Sequence, residues 1–330
     1  MAREHSVRVV VERLERHQIA IYLAAMAAAA VWGLTASVSA AVVEPAITPV
    51  LAALLYATFL QVPFAALARA ARGGRFLGAV LVTNFVVVPL VVAVLVQFAP
   101  DDRAVRLGVL LVLLTPCIDY VIVFSGLAGG ASERLLAATP LLMLAQMLLL
   151  PVYLLLFLGP DLAGYVEVGP FLEAFLALIV VPLTLAWLTQ TVAARHRAGQ
   201  TVSTAMNAAL VPLMALTLLV VVASQTPRIS TRLGSVAAVI PLYAGFLIVM
   251  AGLGLLLARL FILDTRAARA LIFSGATRNS LVVLPLALAL PDRYAIAAVI
   301  VVTQTLIEMV GMVVYVRFVP HLAPAAATRS

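Results

Sequence analysis

The run L-L-T-P-C-I-D-Y-V-I-V-F-S-G, from Leu113 to Gly126, decides how this chain is read. It is apolar enough for the interior of a bilayer, yet Pro116, Cys117 and Asp119 put a missing amide donor, a thiol and a carboxylate side by side within it. A charge at that depth costs roughly 2.5–3.5 kcal/mol or more, so such residues point to function. The combination recurs once. F-S-G-A-T-R-N-S-L, Phe273 to Leu281, sets Ser274, Gly275, Thr277, Arg278, Asn279 and Ser280 in a second apolar stretch. Adding 160 to the residue number carries Cys117 onto Thr277 and Asp119 onto Asn279. Pro116 and Gly275 read as helix-breaking residues. The two stretches read as a pair of broken helices, whose freed backbone groups and half-helix ends face a substrate.

Around them the chain is uniformly apolar. Of its 330 residues 65% are hydrophobic and 11% charged, and the mean hydropathy is +1.17, which excludes a soluble enzyme or a nucleic-acid binder. Ten apolar runs, each near the roughly 20 residues a span requires, occur at Ile19–Ala40, Pro45–Ala68, Phe76–Phe98, Arg106–Gly126, Leu135–Leu158, Gly169–Gln190, Val202–Gln225, Gly234–Leu260, Ala268–Leu290 and Tyr294–Phe318. The shift of 160 lays spans two to five over spans seven to ten, and Pro160 over Pro320. Because five spans is an odd number, the second copy must be inserted upside down, the repeat pattern of secondary transporters. The expected fold is an all-α polytopic membrane protein of ten transmembrane helices. Residues 1–18 form a cytoplasmic tail, 19–160 the first five-helix repeat, 161–320 the inverted second repeat, and 321–330 a cytoplasmic C-terminal tail.

The net charge of +7 is an orientation signal. All 21 basic residues are Arg; with the N-terminus inside, fifteen fall in cytoplasmic segments, five on the opposite face, and Arg278 within a span. The positive-inside rule then places both termini in the cytoplasm of a cell-membrane protein.

The remaining midplane candidates are few. Glu308 lies in V-T-Q-T-L-I-E-M-V-G (Val302 to Gly311), one helical turn beyond Gln304 and on the same face. A carboxylate there suits a proton carrier. Asp119 and Arg278 read either as an ion pair closing the crossing, or as a proton or cation carrier and an anion contact. Asn84 with Pro89, Gln61 with Pro63 and Gln146 with Pro151 suit interhelical hydrogen bonds and kinks as well as they suit a site. Other chemistries lack their residues. All four His (His5, His17, His196, His321) lie in tails or loops, so no membrane haem or His-based protease fits, and there is no phosphate-binding loop. The lone Cys117 builds no zinc or iron–sulfur site, but it can be one soft ligand for a thiophilic species. No cofactor is expected.

Thr115-Pro116-Cys117 followed by I-D-Y-V-I-V-F resembles the fourth-span signature of the arsenite efflux permeases, the yeast-type arsenical resistance family. The resemblance extends to L-L-Y-A-T-F-L-Q-V-P (Leu54 to Pro63), N-F-V-V-V-P (Asn84 to Pro89), the polar ninth span around Asn279, and L-I-E-M-V (Leu306 to Val310). That family shares a superfamily with the bile acid:sodium symporters. The resemblance implies a panel domain and a core domain, broken helices crossing in the core, and alternating access by motion of one against the other. It also implies that Cys117 and Glu308 are the functional pair, and that arsenite or antimonite leaves against inward proton flow. Asp119 and Arg278 depart from the family pattern.

The expected substrate contacts are Cys117 (the metalloid ligand), Thr115, Thr277, Arg278, Asn279 and Ser280, with Asp119, Gln304 and Glu308 coupling protons or sodium. The alternative is a sodium- or proton-coupled carrier of a small organic anion, with Arg278 as carboxylate contact. Either carrier works in a lipid bilayer as a monomer or homodimer, without nucleic acid. A non-transporting membrane sensor is the reading from outside transport.

Overall fold

The computed structural model describes residues 2–35, 40–61, 74–118, 120–159, 176–231, 233–288 and 290–324, and every regular element among them is helical. In order these are α1 (Ala2–Thr35), α2 (Ala40–Gln61), α3 (Gly74–Phe98), α4 (Arg103–Leu113), α5 (Tyr120–Leu127), α6 (Ser132–Leu158), α7 (Val181–Ala193), α8 (Arg197–Thr231), α9 (Leu233–Leu260), α10 (Thr265–Ala276), α11 (Ser280–Leu288) and α12 (Ile296–Leu322). An apolar environment supplies no water to backbone amides and carbonyls, so each segment must close its own hydrogen bonds, and a helix does so.

Five described helices are long and apolar enough to cross a membrane: α3, α6, α8 over Arg197–Thr226, α9 and α12. Shorter apolar stretches occur at Ala20–Thr35 and Pro45–Gln61. Residues 2–18, expected as a tail, are the first half of α1. The fourth and ninth apolar runs are each two short helices separated by non-helical residues: α4 and α5, α10 and α11. Asp119 lies outside the described residues, as do most of the loop before the third run and the start of the sixth.

Two compact units form, each drawing on both halves of the chain. The first, Met1–Gln61 with Gly169–Leu233, holds α1, α2, α7 and α8 around buried Leu51, Leu54, Leu55 and Phe59. The Tyr56 hydroxyl meets Thr189 Oγ1 at 2.8 Å, and Gln190 donates to the Leu60 carbonyl at 2.9 Å.

The second unit, Val62–Val168 with Gly234–Ser330, holds α3 to α6 and α9 to α12. Here α4 lies against α12 at glycine distance: a Cβ on Gly108 would sit 2.8 Å from the Ala297 carbonyl oxygen. On α3, Val86, Leu90, Val94 and Phe98 recur every fourth residue and are all exposed, a stripe suited to lipid. Two aspartates start helices of this unit. Asp102 accepts from the amides of Ala104 and Val105 to open α4, and Asp264 accepts from Ala267 to open α10. The Ala267 amide, followed by Arg134 at 2.7 Å, holds the Asp264 carboxyl below its usual range.

Candidate functional site

The two helix breaks meet within the second unit. Helix α4 stops at Leu113 because Pro116 has no amide to offer the carbonyl four residues back, and it pushes Thr115 out of the helical region. Thr115 then turns its hydroxyl back to the carbonyls of Leu111 (2.9 Å) and Val112 (3.1 Å). Helix α10 ends at Ala276, and Thr277 does the same, donating to Phe273 O at 2.8 Å. Gly275 is therefore not where the helix opens, as its dihedral freedom suggested. It stands in the last helical turn, and its use is space: a Cβ there would fall 2.8 Å from Thr83 Cγ2 and 3.0 Å from Met250 Cε.

Opened, the two segments pair as a one-rung antiparallel bridge, Pro116 opposite Arg278. The hydrogen bonds are made by their neighbours, Cys117 N to Thr277 O at 3.2 Å and Asn279 N to Thr115 O at 2.9 Å. Pro116 and Arg278 thus occupy the non-hydrogen-bonded position of the ladder. A proline there removes no bridge bond. For Arg278 it leaves the main-chain N–H and C=O pointing away from the bridge, and both are used. The Arg278 amide donates to Glu308 Oε2 at 2.8 Å, and its carbonyl accepts from the Tyr120 hydroxyl at 2.9 Å.

Glu308, 1% exposed on α12, is the hub of these contacts. Besides the Arg278 amide it accepts from Gln304 Nε2, one turn earlier, and its Oε1 lies 2.6 Å from the Tyr120 hydroxyl. A tyrosine hydroxyl has one proton. When Tyr120 gives it to the Arg278 carbonyl, its contact with Glu308 is a hydrogen bond only if Glu308 carries a proton of its own. When Glu308 is ionised, Tyr120 turns to it and the Arg278 carbonyl loses its donor. One carboxyl proton thus alters hydrogen bonding at the bridge itself.

The Arg278 side chain, wholly buried, runs to the opposite set of groups. Its Nη2 donates to Asn84 Oδ1, Ser274 O and Gly275 O, each at 2.8 Å, and Nη1 reaches Leu113 O at 3.3 Å. The Phe246 ring lies 5.5 Å from the guanidinium carbon. The three carbonyls belong to the last turns of α4 and α10, where helix dipoles concentrate about half a negative charge each. Among the described residues Arg278 Nε finds no acceptor.

The other expected residues fall around this core. Cys117 is a fully buried thiol inside the first break, three residues before α5 begins. Asn279 caps α11, accepting from Val282 N at 3.2 Å, while its Nδ2 has no partner among the described residues. Ser280 pairs with Thr305 of α12 at 2.8 Å. Gln304 Oε1 is likewise buried without a donor among the described residues. Thr115, Pro116, Cys117, Thr277, Arg278, Asn279, Gln304 and Glu308 are thus brought together, and Asp119 lies outside the described residues. Among the described residues no group of His, Cys, Asp or Glu has the makings of a metal site.

Two residues carry more of the geometry than the sequence suggested. Tyr120 links Glu308 to the bridge, and Asn84 links α3 to Arg278 while donating to Ser274 Oγ at 2.9 Å. Asn84 sits in a π-helical turn, Thr83–Val87, and the signal for it is Pro89. That proline offers no amide to the preceding turn, and the stranded Phe85 carbonyl is taken by the Tyr153 hydroxyl at 2.6 Å.

A chain of apolar helices, two of them broken and paired through main chain, with a carboxyl and an arginine at the pairing point, has the makings of a carrier. The family model described as the sodium bile acid symporter family matches residues 48–232. The chain belongs to the sodium bile acid symporter family. It is a multi-pass membrane transporter of the secondary, gradient-driven kind, not an enzyme. The match takes in the first break and ends before the second, so Arg278, Gln304 and Glu308 lie beyond it. No individual curated protein matches the chain.

Proposed function

We propose that the protein exports trivalent arsenic or antimony in exchange for protons, by alternating access in a ten-span fold of two inverted five-helix repeats. The unit of α1, α2, α7 and α8 is the panel in this reading, the unit with both breaks is the core, and both termini are cytoplasmic.

The observation that carries the proposal is the Glu308–Tyr120–Arg278 contact: a buried carboxyl bonded to the main chain of one break, with Cys117 bonded through its amide to the same pairing. Proton and cargo then act on one structure. The thiol of Cys117 replaces a hydroxyl on the neutral trihydroxide of arsenic, releasing water, and holds the metalloid at the break. Protonation of Glu308 frees Tyr120 for the Arg278 carbonyl and steadies the pairing, and loss of the proton loosens it. Arg278, engaged with three main-chain carbonyls and the Asn84 side-chain oxygen, serves as fixed countercharge rather than as an open anion contact.

Expression in metalloid-sensitive cells should raise arsenite tolerance, and Cys117→Ser should abolish the gain while the protein still reaches the membrane. Full tolerance in Cys117→Ser removes the thiol from the mechanism. A second reading, a sodium-coupled carrier of an organic anion, draws on the family description and on the Arg278 Nε, which lacks an acceptor among the described residues. It predicts sodium-dependent uptake of a carboxylate into proteoliposomes.

A further inference from the structure

The ends of α4 and α10 come together at Arg278, each with carbonyls that no amide of its own helix can reach. Within a membrane, where water does not supply donors, broken transporter helices commonly meet this need with a bound monovalent cation at their C-terminal ends. The group found between them here is the Arg278 guanidinium. Among the described residues its acceptors are neutral oxygens from three separate segments: Leu113 O of α4, Ser274 O and Gly275 O of α10, and the Asn84 side-chain oxygen of α3. Carbonyl and amide oxygens converging on one positive charge are the ligand set of a hard cation. The side chain is 0% exposed, so the charge is retained without solvent.

We infer that Arg278 is a built-in cation, occupying with its guanidinium the place a sodium ion would take between the two helix ends, and that it makes this place independent of sodium. An arginine keeps its proton throughout the accessible pH range, and it is tethered. It can neither dissociate nor titrate, so this position cannot take part in an ion cycle. Coupling then falls to titratable groups outside this place; Glu308 contacts the Arg278 main chain. Arg278 is in this sense a specificity-determining residue for the coupling ion. The inference rests on the transporter reading, but its test reads cation binding and needs neither cargo nor flux. A failure of the arsenic proposal would leave it standing, and the reverse.

The test is thermal unfolding of the purified full chain in detergent, titrated with sodium, lithium or potassium chloride against choline chloride at constant ionic strength. Wild type should show no saturable response. Arg278→Ala should unfold at lower temperature in choline and regain a few degrees, saturably, with sodium or lithium, since a ligand that binds only the folded state raises its midpoint. Guanidinium at low millimolar concentration should do the same. Arg278→Lys, whose ammonium still fills the place, should remain insensitive to sodium. A saturable sodium response in wild type or in Arg278→Lys overturns the inference, as does a folded Arg278→Ala that no small cation restores. If Arg278→Ala yields no folded protein, the wild-type and Arg278→Lys titrations decide between the same outcomes.

Discussion

The two helix breaks solve one problem with opposite chemistry. The first, described from Leu114 to Ile118, is opened by Pro116, which removes a donor; the carbonyls ahead of it are met by Thr115 and by groups from elsewhere. The second, Thr277 to Asn279, contains no proline. It ends α10 with Arg278, which folds back onto carbonyls three and four residues behind it and extends to Leu113 O, the last carbonyl of α4 before the first break. One break is short of donors and the other has a surplus, so the crossing closes only when they pair. The lesson is that pseudo-equivalent positions need not share chemistry: the charge that serves both breaks resides in one.

That asymmetry makes the sharpest predictions unequal. Arg278→Met, similar in length but without donors, should destabilise by about 3–5 kcal/mol, because carbonyls of both breaks lose a buried charged partner. Pro116→Ala should cost far less, since Pro116 stands where the bridge makes no hydrogen bond. Comparable losses in thermal unfolding of the two variants would mean the breaks are not complementary. Asn84→Ala comes next, at about 1–3 kcal/mol, for it strands one Arg278 N–H and the Ser274 hydroxyl contact. Tyr120→Phe removes one hydroxyl from between Glu308 and the bridge and should cost about 1 kcal/mol. An effect on stability as large as that of Arg278→Met would place Tyr120, rather than Arg278, at the centre of the crossing.

The smallest effect lies at the far end of α10, where Asp264 both caps the helix and meets Arg134. Its carboxyl titrates lower in the folded protein than in the unfolded chain. Its stabilisation is therefore complete above the ordinary carboxylate range and is lost as pH falls through it. Both partners are about half exposed, so the contribution should be no more than about 0.5 kcal/mol. Unfolding midpoints of wild type and Asp264→Asn should differ slightly at neutral pH and converge in acid. A gap that widens on acidification would contradict the capping role.

The sequence made the breaks legible because polar residues in an apolar run have few innocent explanations: Thr115, Pro116, Cys117, Arg278, Asn279 and Glu308 all stood out on that ground. Pairwise geometry was not legible. Whether Arg278 faced Asp119, a substrate or backbone depended on where two carbonyl-rich helix ends come to rest, and no spacing encodes that. Gly275 was misjudged because glycine has two uses, dihedral freedom and absent bulk, and only the neighbours Thr83 and Met250 tell which applies. Asn84 was underweighted for the reverse reason: an amide in a span looks like interhelical glue until its oxygen is found on a buried arginine.

In the proposed cycle the driving ion is the proton carried by Glu308. Its most direct measurement is arsenite flux in proteoliposomes under a proton gradient or a sodium gradient alone, for wild type and Glu308→Gln. The proton gradient alone should drive wild-type flux, and Glu308→Gln, which keeps an oxygen for the Arg278 amide, should fold but lose that response by about tenfold or more. Flux driven by sodium alone, or proton-driven flux undiminished in Glu308→Gln, would contradict it.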